Sequence, residues 1–289
     1  MFYSPLRYPG GKNKLAKFIA MVCFENDING HYIEPYAGGA AVALHLLING
    51  KVSKITINDK DRSIYAFWYS ILNHTTKFCN LIKKTDITIE NWKKFKDIQK
   101  NKDNVDLFTL GFSTFFLNRT NVSGIIDGGI IGGLEQEGDY KIDCRFNKES
   151  LIKRIKKISS CKDEIELRNL DAVDLIKLIN KESASQNKIF YFDPPYYLKG
   201  ESLYLNCYKP DDHKQVSKEI KKIKNARWIV SYDNTPEIKK LYNKFQKIEY
   251  SFFHTAREAK IGKEILFFCD NIKVPVVCDP AKLSKNEYE

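Results

Sequence analysis

The sequence lacks several patterns that identify common classes of protein. Its seven cysteines form no C-x-x-C pair and have no histidine partner at the spacing of a zinc site, so we expect reduced thiols and no metal centre. No apolar run approaches the length of a membrane span, and no basic leader with an apolar segment behind it opens the chain. We find no internal repeat. These absences predict a soluble, cytoplasmic protein without a membrane partner.

Arginine is scarce, because only eight of the 47 basic residues are arginine. The net charge is nevertheless +11 and the pI about 9.1, which favours a polyanionic partner such as nucleic acid. An AT-rich genome also produces an excess of lysine, so a solvated helix surface is an alternative explanation. The 289 residues, 43% of them hydrophobic, are enough for one large or two coupled domains.

Strand and helix signals alternate in two parts of the chain. They predict strands at 31–34, 54–57, 165–167, 189–192 and 228–230, and helices at 12–24, 40–48, 172–180 and 212–223. Two more strands, at 248–253 and 264–269, have no helix-length connection and should pair as an antiparallel hairpin. The pattern predicts an α/β fold with a doubly wound sheet.

The segment from about 61 to 160 interrupts this alternation. Apolar residues at helical spacing predict helices at 64–72 and 108–117, with a polar stretch at 93–104 between them and a glycine-rich loop at 124–138 after them. We interpret 61–160 as an inserted, mainly helical domain with a flexible loop. Residues 1–60 and 161–289 then form the domain that contains the sheet.

The tetrad Asp193-Pro194-Pro195-Tyr196 follows the apolar run 189–192, which is typical of a buried strand. Asp193 can accept a hydrogen bond from an amine, and Pro194 leaves an outward carbonyl because proline fixes φ and has no N–H. Two acceptors on one amino group would draw its lone pair out of conjugation with a flat ring, and Tyr196 would stack on that ring. The alternative is a simple turn that ends a strand.

A second group of candidate ligand-binding residues follows the first predicted strand. Gly38-Gly39-Ala40 does not match the dinucleotide pattern G-x-G-x-x-G, but so tight a loop lets a ligand approach the backbone closely. Asp59 lies 21 residues beyond Gly38, at the end of the next strand, where an acid accepts both hydroxyls of a ribose. Together they predict an adenosine-containing ligand without a pyrophosphate, and S-adenosylmethionine (SAM) fits better than NAD. Alternatively, Asp59 caps the helix that begins near 61.

These motifs occur in the order typical of one enzyme family. They are 7–12 (RYPGGK), 32–39 (YIEPYAGG), 58–59 (ND), 115–120 (FFLNRT) and 193–196 (DPPY). Over nearly its whole length the chain resembles the Dam-type (D12 class) DNA adenine-N6 methyltransferases. The resemblance implies a Rossmann-like SAM-dependent methyltransferase sheet, with 61–160 as the target-recognition domain. It also implies that a methyl group passes from SAM to N6 of an adenine flipped out of double-stranded DNA.

The resemblance further implies roles for single residues. Lys12 would bind the cofactor's carboxylate, Asp59 its ribose and Asp171 its adenine amine. The full cofactor-binding set is Tyr8, Lys12, Tyr36, Gly38, Asp59, Asp171 and Asp193; the catalytic set is Asp193, Pro194 and Tyr196; the DNA-binding set is Asn118, Arg119, Asn121 and Arg257. Alternatives are a solvated lysine for Lys12, a helix cap for Asp171 and a surface or phosphate-binding role for Arg119.

Other functions are compatible with the same cofactor motifs. A protein-glutamine or RNA methyltransferase would share that half of the chain, although the former usually has asparagine where Asp193 stands. A DNA-binding or specificity component without turnover is a further alternative, against which the intact tetrad argues. The resemblance favours a monomer, and it suggests that the protein functions together with a restriction endonuclease. The basic residues at 153–157 are either a track for phosphates or a solvated surface.

Overall fold

The computed structural model describes residues 2–8, 12–182, 187–198, 208–254 and 260–283. They form two compact units. The helical unit comprises Met1–Gly11 and Asp61–Asp163, and the sheet unit comprises Lys12–Lys60 and Glu164–Glu289. The first eleven residues group with the helical unit, whereas the predicted sheet domain included them. This grouping has a structural reason, because the N–H and the carbonyl of Arg7 both bond to the side chain of Asn118.

The sheet unit is built on a seven-stranded sheet within the described residues. Its strands are β1 (His31–Glu34), β2 (Lys54–Asn58), β3 (Ile165–Arg168), β4 (Lys188–Phe192), β5 (Arg227–Asp233), β6 (Gln246–His254) and β7 (Lys260–Phe268). The order is β3-β2-β1-β4-β5-β7-β6. The first five strands are parallel, and β7 runs antiparallel to both β5 and β6. The predicted α/β sheet with an antiparallel C-terminal pair is confirmed.

The strand order reverses between β1 and β4. From β1 the chain continues to β2 on one side, and from β4 it continues to β5 on the other. A crevice therefore opens outside the carboxyl ends of β1 and β4, which is where doubly wound sheets bind ligands. Glu34 is the last residue of β1, and Asp193 directly follows β4. The topology thus brings the first-strand loop and the tetrad to one edge of the sheet.

Helices precede and follow these strands in the chain. They are α1 (Ala16–Glu25), α2 (Ala41–Ile48), α3 (Arg62–Asn73), α4 (Thr75–Lys84), α5 (Ile89–Lys100), α6 (Leu107–Thr120), α7 (Lys148–Ser159), α8 (Ala172–Asn180), α9 (Pro210–Ile220) and α10 (Pro236–Leu241). Side chains of Asp61, Thr88, Asp106, Asn147, Asp171 and Thr235 accept hydrogen bonds at their N-termini. In the part of the chain described above, no helix has the length and hydrophobicity of a bilayer-spanning segment.

The helical unit has an aromatic core between α3, α4, α5 and α6. Its fully buried rings are Phe67, Trp68, Phe78, Phe112, Phe115 and Phe116. The rings of Phe67 and Phe115 stack with centroids 5.9 Å apart, and most other pairs meet edge to face or tilted. Such contacts add to the free energy of burial. The glycine-rich loop after α6 is attached to this core by buried asparagine side chains, described below.

Candidate active site

A buried lysine lies between two carboxylates in the sheet unit. Lys12 Nζ is 3.0 Å from Asp193 Oδ1 and 3.3 Å from Glu264 Oε1. The side chains of Lys12 and Glu264 are 2% and 1% exposed, and that of Asp193 is 22% exposed. Burial alone would lower the pKa of Lys12, but the charges of Asp193 and Glu264 raise it well above its usual value. The ammonium therefore stays charged near neutral pH.

Glu264, on β7, is bonded at both carboxylate oxygens. The hydroxyl of Tyr196 donates to Oε1, which Lys12 also contacts, and the hydroxyl of Tyr250 donates to Oε2. Burial would raise the pKa of Glu264, but the charge of Lys12 and these hydrogen bonds hold it below its usual value. Glu264 is thus an ionised, fully bonded carboxylate. No motif in the sequence pointed to it.

Asp193 uses its two oxygens differently. Ser231 Oγ donates to Oδ1 at 2.7 Å, beside the contact with Lys12, and Tyr191 OH donates to Ser231 Oγ at 3.1 Å. Among the described residues, no group bonds Oδ2 and none donates to the carbonyl of Pro194. Burial raises the pKa of Asp193, and the charge of Lys12 opposes this. Asp193 Oδ2 and the carbonyl of Pro194 are therefore two hydrogen-bond acceptors at the end of β4 without a partner among the described residues, and their predicted role at an amine stays a prediction.

The loop after β1 is shaped by two acids from neighbouring strands. Glu34 Oε1 accepts from Tyr32 OH at 2.9 Å and from the N–H of Ala43, in the first turn of α2, at 3.0 Å. Asp59 Oδ2 accepts from the N–H of Gly38 at 2.9 Å. Gly38 has a φ of 46°, a left-handed conformation that glycine adopts without strain. Asp61, not Asp59, caps α3, so the capping alternative for Asp59 is wrong.

Asp171 does act as a helix cap. Its Oδ1 accepts from the N–H of Val173 in the first turn of α8 at 2.9 Å, and its Oδ2 is 3.0 Å from Lys60 Nζ. The side chain is partly exposed, and the ion pair with Lys60 is at the surface. The structural alternative for Asp171 is therefore confirmed, and its predicted contact with the adenine amine of a cofactor stays a prediction.

Comparison with known proteins assigns this arrangement to a family. The family model described as D12 class N6 adenine-specific DNA methyltransferase matches residues 8–254. The chain belongs to this family. A relative, the Type II methyltransferase M.MjaIII of Methanocaldococcus jannaschii, is 24% identical in an alignment 262 residues long that covers 83% of this chain and 88% of the relative. The protein is thus a DNA adenine methyltransferase, and the resemblance recognised in its motifs is confirmed.

Two solved structures of methyltransferases show similarity at low scores. A SAM-dependent methyltransferase from Agrobacterium tumefaciens is 8% identical with a TM-score of 0.37, over 87% of this chain and 61% of that one. The rRNA methyltransferase aviRa from Streptomyces viridochromogenes is 9% identical with a TM-score of 0.36, over 88% of this chain and 84% of that one. Scores this low support no conclusion about function, and the fold is assigned from the strand order of the sheet.

The cofactor of this methyltransferase is SAM, and the chemistry of the crevice fits it. SAM carries a positive sulfonium, ribose hydroxyls and an adenine amine, all of which are served by acceptors or negative charge. The ends of β1, β2 and β4 supply Glu34, Asp59 and Asp193. Lys12, beside Asp193, is already paired with two carboxylates. The predicted contacts of Asp59 and Gly38 with the cofactor stay predictions.

The structure gives Lys12 and Tyr196 other partners than the sequence predicted. Lys12 was expected at the cofactor's carboxylate, but its ammonium is buried against Asp193 and Glu264. Tyr196 was expected to stack on the target base, but its ring is 2% exposed and Lys12 Nζ lies 4.9 Å from the ring centroid. In this arrangement Lys12 pairs with Asp193 and Tyr196 bonds to Glu264, and the predicted ligand contacts of both residues stay predictions.

Asn118 and Asn121 are buried in the helical unit, and their predicted contacts with DNA stay a prediction. Asn118 accepts from the N–H of Arg7 and donates to the carbonyls of Arg7 and Gly124, each at 2.7 or 2.8 Å. Asn121 accepts from Trp92 Nε1 at 2.7 Å and donates to the carbonyls of residues 125 and 126. Both side chains are at most 1% exposed. They hold the loop after α6 in shape, a role that the sequence motif did not distinguish from a DNA contact.

Arg119 belongs to a cluster of four arginines in the helical unit. Its Nε and Nη2 both donate to the carbonyl of Arg145. Burial and the nearby charges of Arg7, Arg154 and Arg145 lower the pKa of Arg119 to about 9. No described carboxylate forms an ion pair with any of the four. The cluster is therefore positive charge without compensation from the described residues of the protein.

Three further predicted site residues remain without a structural outcome. Tyr8 is half-buried and belongs to the helical unit. Arg257 lies outside the described residues. Tyr36, at the loop after β1, is half-buried and its hydroxyl lies 2.8 Å from that of Tyr208. The predicted roles of Tyr8 and Tyr36 at the cofactor and of Arg257 at DNA stay predictions.

Proposed function

We propose that this methyltransferase is site-specific, and that it methylates N6 of an adenine flipped out of double-stranded DNA. The main support is that the two carboxylate oxygens of Asp193 have different surroundings. One oxygen is held by Lys12 and Ser231, and the other has no partner among the described residues. An adenine inside a duplex cannot reach such an acceptor, so it must leave the stack at a cost of a few kcal/mol.

The tetrad activates the amine by geometry. Asp193 Oδ2 and the Pro194 carbonyl accept its two N–H bonds, which turns the nitrogen lone pair out of the ring plane. SAM, when bound, would supply an electrophilic methyl group on its sulfur. Asp193 and Pro194 would hold the amine nitrogen in line with that carbon, so that the carbon–sulfur bond breaks as the carbon–nitrogen bond forms, and the extra proton would leave to water. Alignment of the reactants contributes about 7 kcal/mol or more of the barrier reduction.

The cofactor contacts in this proposal come from both sides of the crevice. Asp59 accepts from the ribose hydroxyls, and Gly38 with Tyr36 lines the methionine end. Asp171 completes the set in the sheet unit, and the role at the cofactor that the family resemblance implies for Tyr8 stays a prediction. Asp59 and Gly38 have the strongest support, because their mutual hydrogen bond fixes the loop at the end of β1.

Arg7, Arg119, Arg145 and Arg154 form the DNA interface in this proposal. Holding like charges together is unfavourable, and phosphates would neutralise them. Arg119 also has the planar donor fork that reads guanine, so it is the candidate for a base contact that sets the recognised sequence. Arg257 would meet the DNA backbone from the hairpin loop.

The name of the relative supports a further element of the proposal. M.MjaIII is called a Type II methyltransferase. By analogy, this enzyme would act beside a restriction endonuclease of the same site specificity, and it would act as a monomer on the duplex.

Transfer of tritium from labelled SAM to duplex DNA tests the proposal. We expect label in N6-methyladenine, and Asp193→Ala should reduce transfer roughly 100-fold or more while DNA binding is retained. Asp174→Ala, on the exposed surface of α8, is the matched control and should be fully active. Label in RNA, in protein or in cytosine would overturn the proposed substrate. Full activity of Asp193→Ala would overturn the role of the tetrad.

A further inference from the structure

Glu264 stands apart from every motif of the family resemblance, yet it holds the tetrad together. It lies on β7 and pairs in register with Asp233 of β5 and Tyr250 of β6. Lys12, Tyr196 and Tyr250 all direct a donor to its carboxylate. Burying a carboxylate costs several kcal/mol unless it is paired, and apolar residues would fill the same space at lower cost. A role in the reaction accounts for this arrangement better than stability does.

The charges of the buried triad do not cancel. Lys12 contributes one positive charge, and Asp193 and Glu264 contribute one negative charge each. With Asp193 alone, Lys12 would form a neutral pair. Glu264 therefore leaves one net negative charge beside the acceptor oxygen of Asp193. The amine that takes up a methyl group becomes positively charged during transfer, and a fixed negative charge in a buried site stabilises that charge.

We propose that Glu264 is a positioning residue for methyl transfer. It holds the Lys12 ammonium against Asp193 Oδ1, ties the hydroxyl of Tyr196 to β7, and supplies the negative charge that makes the triad favour a developing cation. Glu264 acts through Lys12 and Tyr196 and does not touch the substrate. The inference rests on the proposed function, because it assigns Asp193 to the adenine amine.

Glu264→Gln is the decisive variant. Glutamine has nearly the same shape and can still accept hydrogen bonds from both tyrosines, but it has no charge. We expect kcat to fall roughly 10-fold to 100-fold, with KM for SAM and for DNA within about threefold of wild type. Glu264→Asp keeps the charge and should recover part of the loss. Glu249→Gln is the matched control, because Glu249 lies on β6 in an exposed pair with Lys239, and its kcat should not change.

A readout without turnover separates charge from packing. In protein with ¹³C-labelled lysine, NMR titration follows the pKa of Lys12, and the Lys12→Met spectrum identifies its signal. Loss of one neighbouring carboxylate in Glu264→Gln should move the Lys12 titration to lower pH. Unchanged kcat, or a Lys12 titration that does not move, would overturn the inference.

A second variant tests the inference if Glu264→Gln does not fold. If thermal unfolding shows that Glu264→Gln is not native, Tyr250→Phe removes one donor to Glu264 while keeping the ring. It should lower kcat with the same unchanged KM values, and full activity would overturn the inference. The two proposals also fail differently. A wild-type protein that methylates no adenine refutes the proposed function, whereas an active wild type with a fully active Glu264→Gln refutes only the role of Glu264.

Discussion

Two buried glutamates of the sheet unit have opposite pKa shifts, because only one of them has a cation beside it. Glu264 is below its usual pKa owing to Lys12 and two tyrosine hydroxyls. Glu34 accepts one hydroxyl and one backbone N–H, and burial raises its pKa to about 8. At the residue scale, two glutamates of one fold therefore differ near pH 7: Glu264 is ionised and Glu34 is mostly protonated.

The raised pKa of Glu34 makes stability fall as pH rises. Between the ordinary value of 4.5 and the folded value of about 8, the unfolded chain releases the proton and the folded protein keeps it. Each pH unit in this window should therefore lower the free energy of unfolding by about 1.4 kcal/mol. Glu34→Gln keeps an acceptor for Tyr32 and Ala43 but does not ionise. Its advantage over wild type in urea unfolding should grow through this window and level off above it; parallel stability curves would contradict the shift.

At the scale of elements, the segment between α6 and α7 depends on a close approach of two backbones. Gly124 has a φ of 78°, and a Cβ placed on it would lie 2.4 Å from the carbonyl oxygen of Arg7. Asn118 bonds both of the backbone segments that meet here, since it donates to the carbonyls of Arg7 and Gly124. The loop is therefore held by specific tertiary contacts although it is rich in glycine.

Gly124→Ala should be strongly destabilising for this reason. Left-handed φ costs about 1–3 kcal/mol for a residue with a side chain, and the contact with Arg7 adds to it. Gly129→Ala is the matched control in the same loop, because nothing lies within 4 Å of its Cβ and its φ is not in that region. It should change the free energy of unfolding by less than about 0.5 kcal/mol. Equal melting temperatures for the two variants would show that the close approach is not needed.

At the scale of the whole molecule, the net charge of +11 conceals a local asymmetry. Many lysines are neutralised in surface pairs such as Lys100 with Asp97. Arg7, Arg119, Arg145 and Arg154 instead bond to backbone carbonyls or lie over aromatic rings, without a described carboxylate partner. The arginine cluster, more than the total charge, is the feature that fits a phosphate backbone.

The dependence of DNA affinity on salt tests this cluster. Each of Arg119→Gln, Arg145→Gln and Arg154→Gln should reduce the slope of log K against log salt by about 0.9 if the arginine contacts one phosphate. Lys100→Gln should leave the slope unchanged, because that lysine is exposed and already paired. The slopes are obtained from fluorescence anisotropy with a duplex oligonucleotide over a range of salt. A wild-type slope in all three arginine variants would assign the cluster to structure alone.

Helix prediction succeeded or failed according to the balance of apolar residues. The helices around 64–72 and 108–117 were predicted because most of the buried positions there are apolar or aromatic. In α5 the buried side chains are Phe95 and Gln99, too few for a periodic signal, so 93–104 was interpreted as a polar stretch. In α7, Leu151, Ile152, Ile155 and Ile158 do form a buried stripe. The basic residues of this segment led to its interpretation as a track for phosphates or a solvated surface. The spacing of its apolar residues, however, is typical of a helix.

The sheet, its antiparallel last pair and the family were predictable from the sequence, because they depend on patterns within short segments. A buried strand is apolar along its length, and the family motifs are contiguous. The tertiary structure alone decided what Lys12, Tyr196, Asn118 and Glu264 do, because their partners lie far away in the chain. Lys12 and Glu264 are 252 positions apart, and only the pairing of β7 with β5 brings the carboxylate beside the tetrad. A motif thus shows which residues belong to the site, and the fold decides which of them bind ligands and which of them hold the others in place.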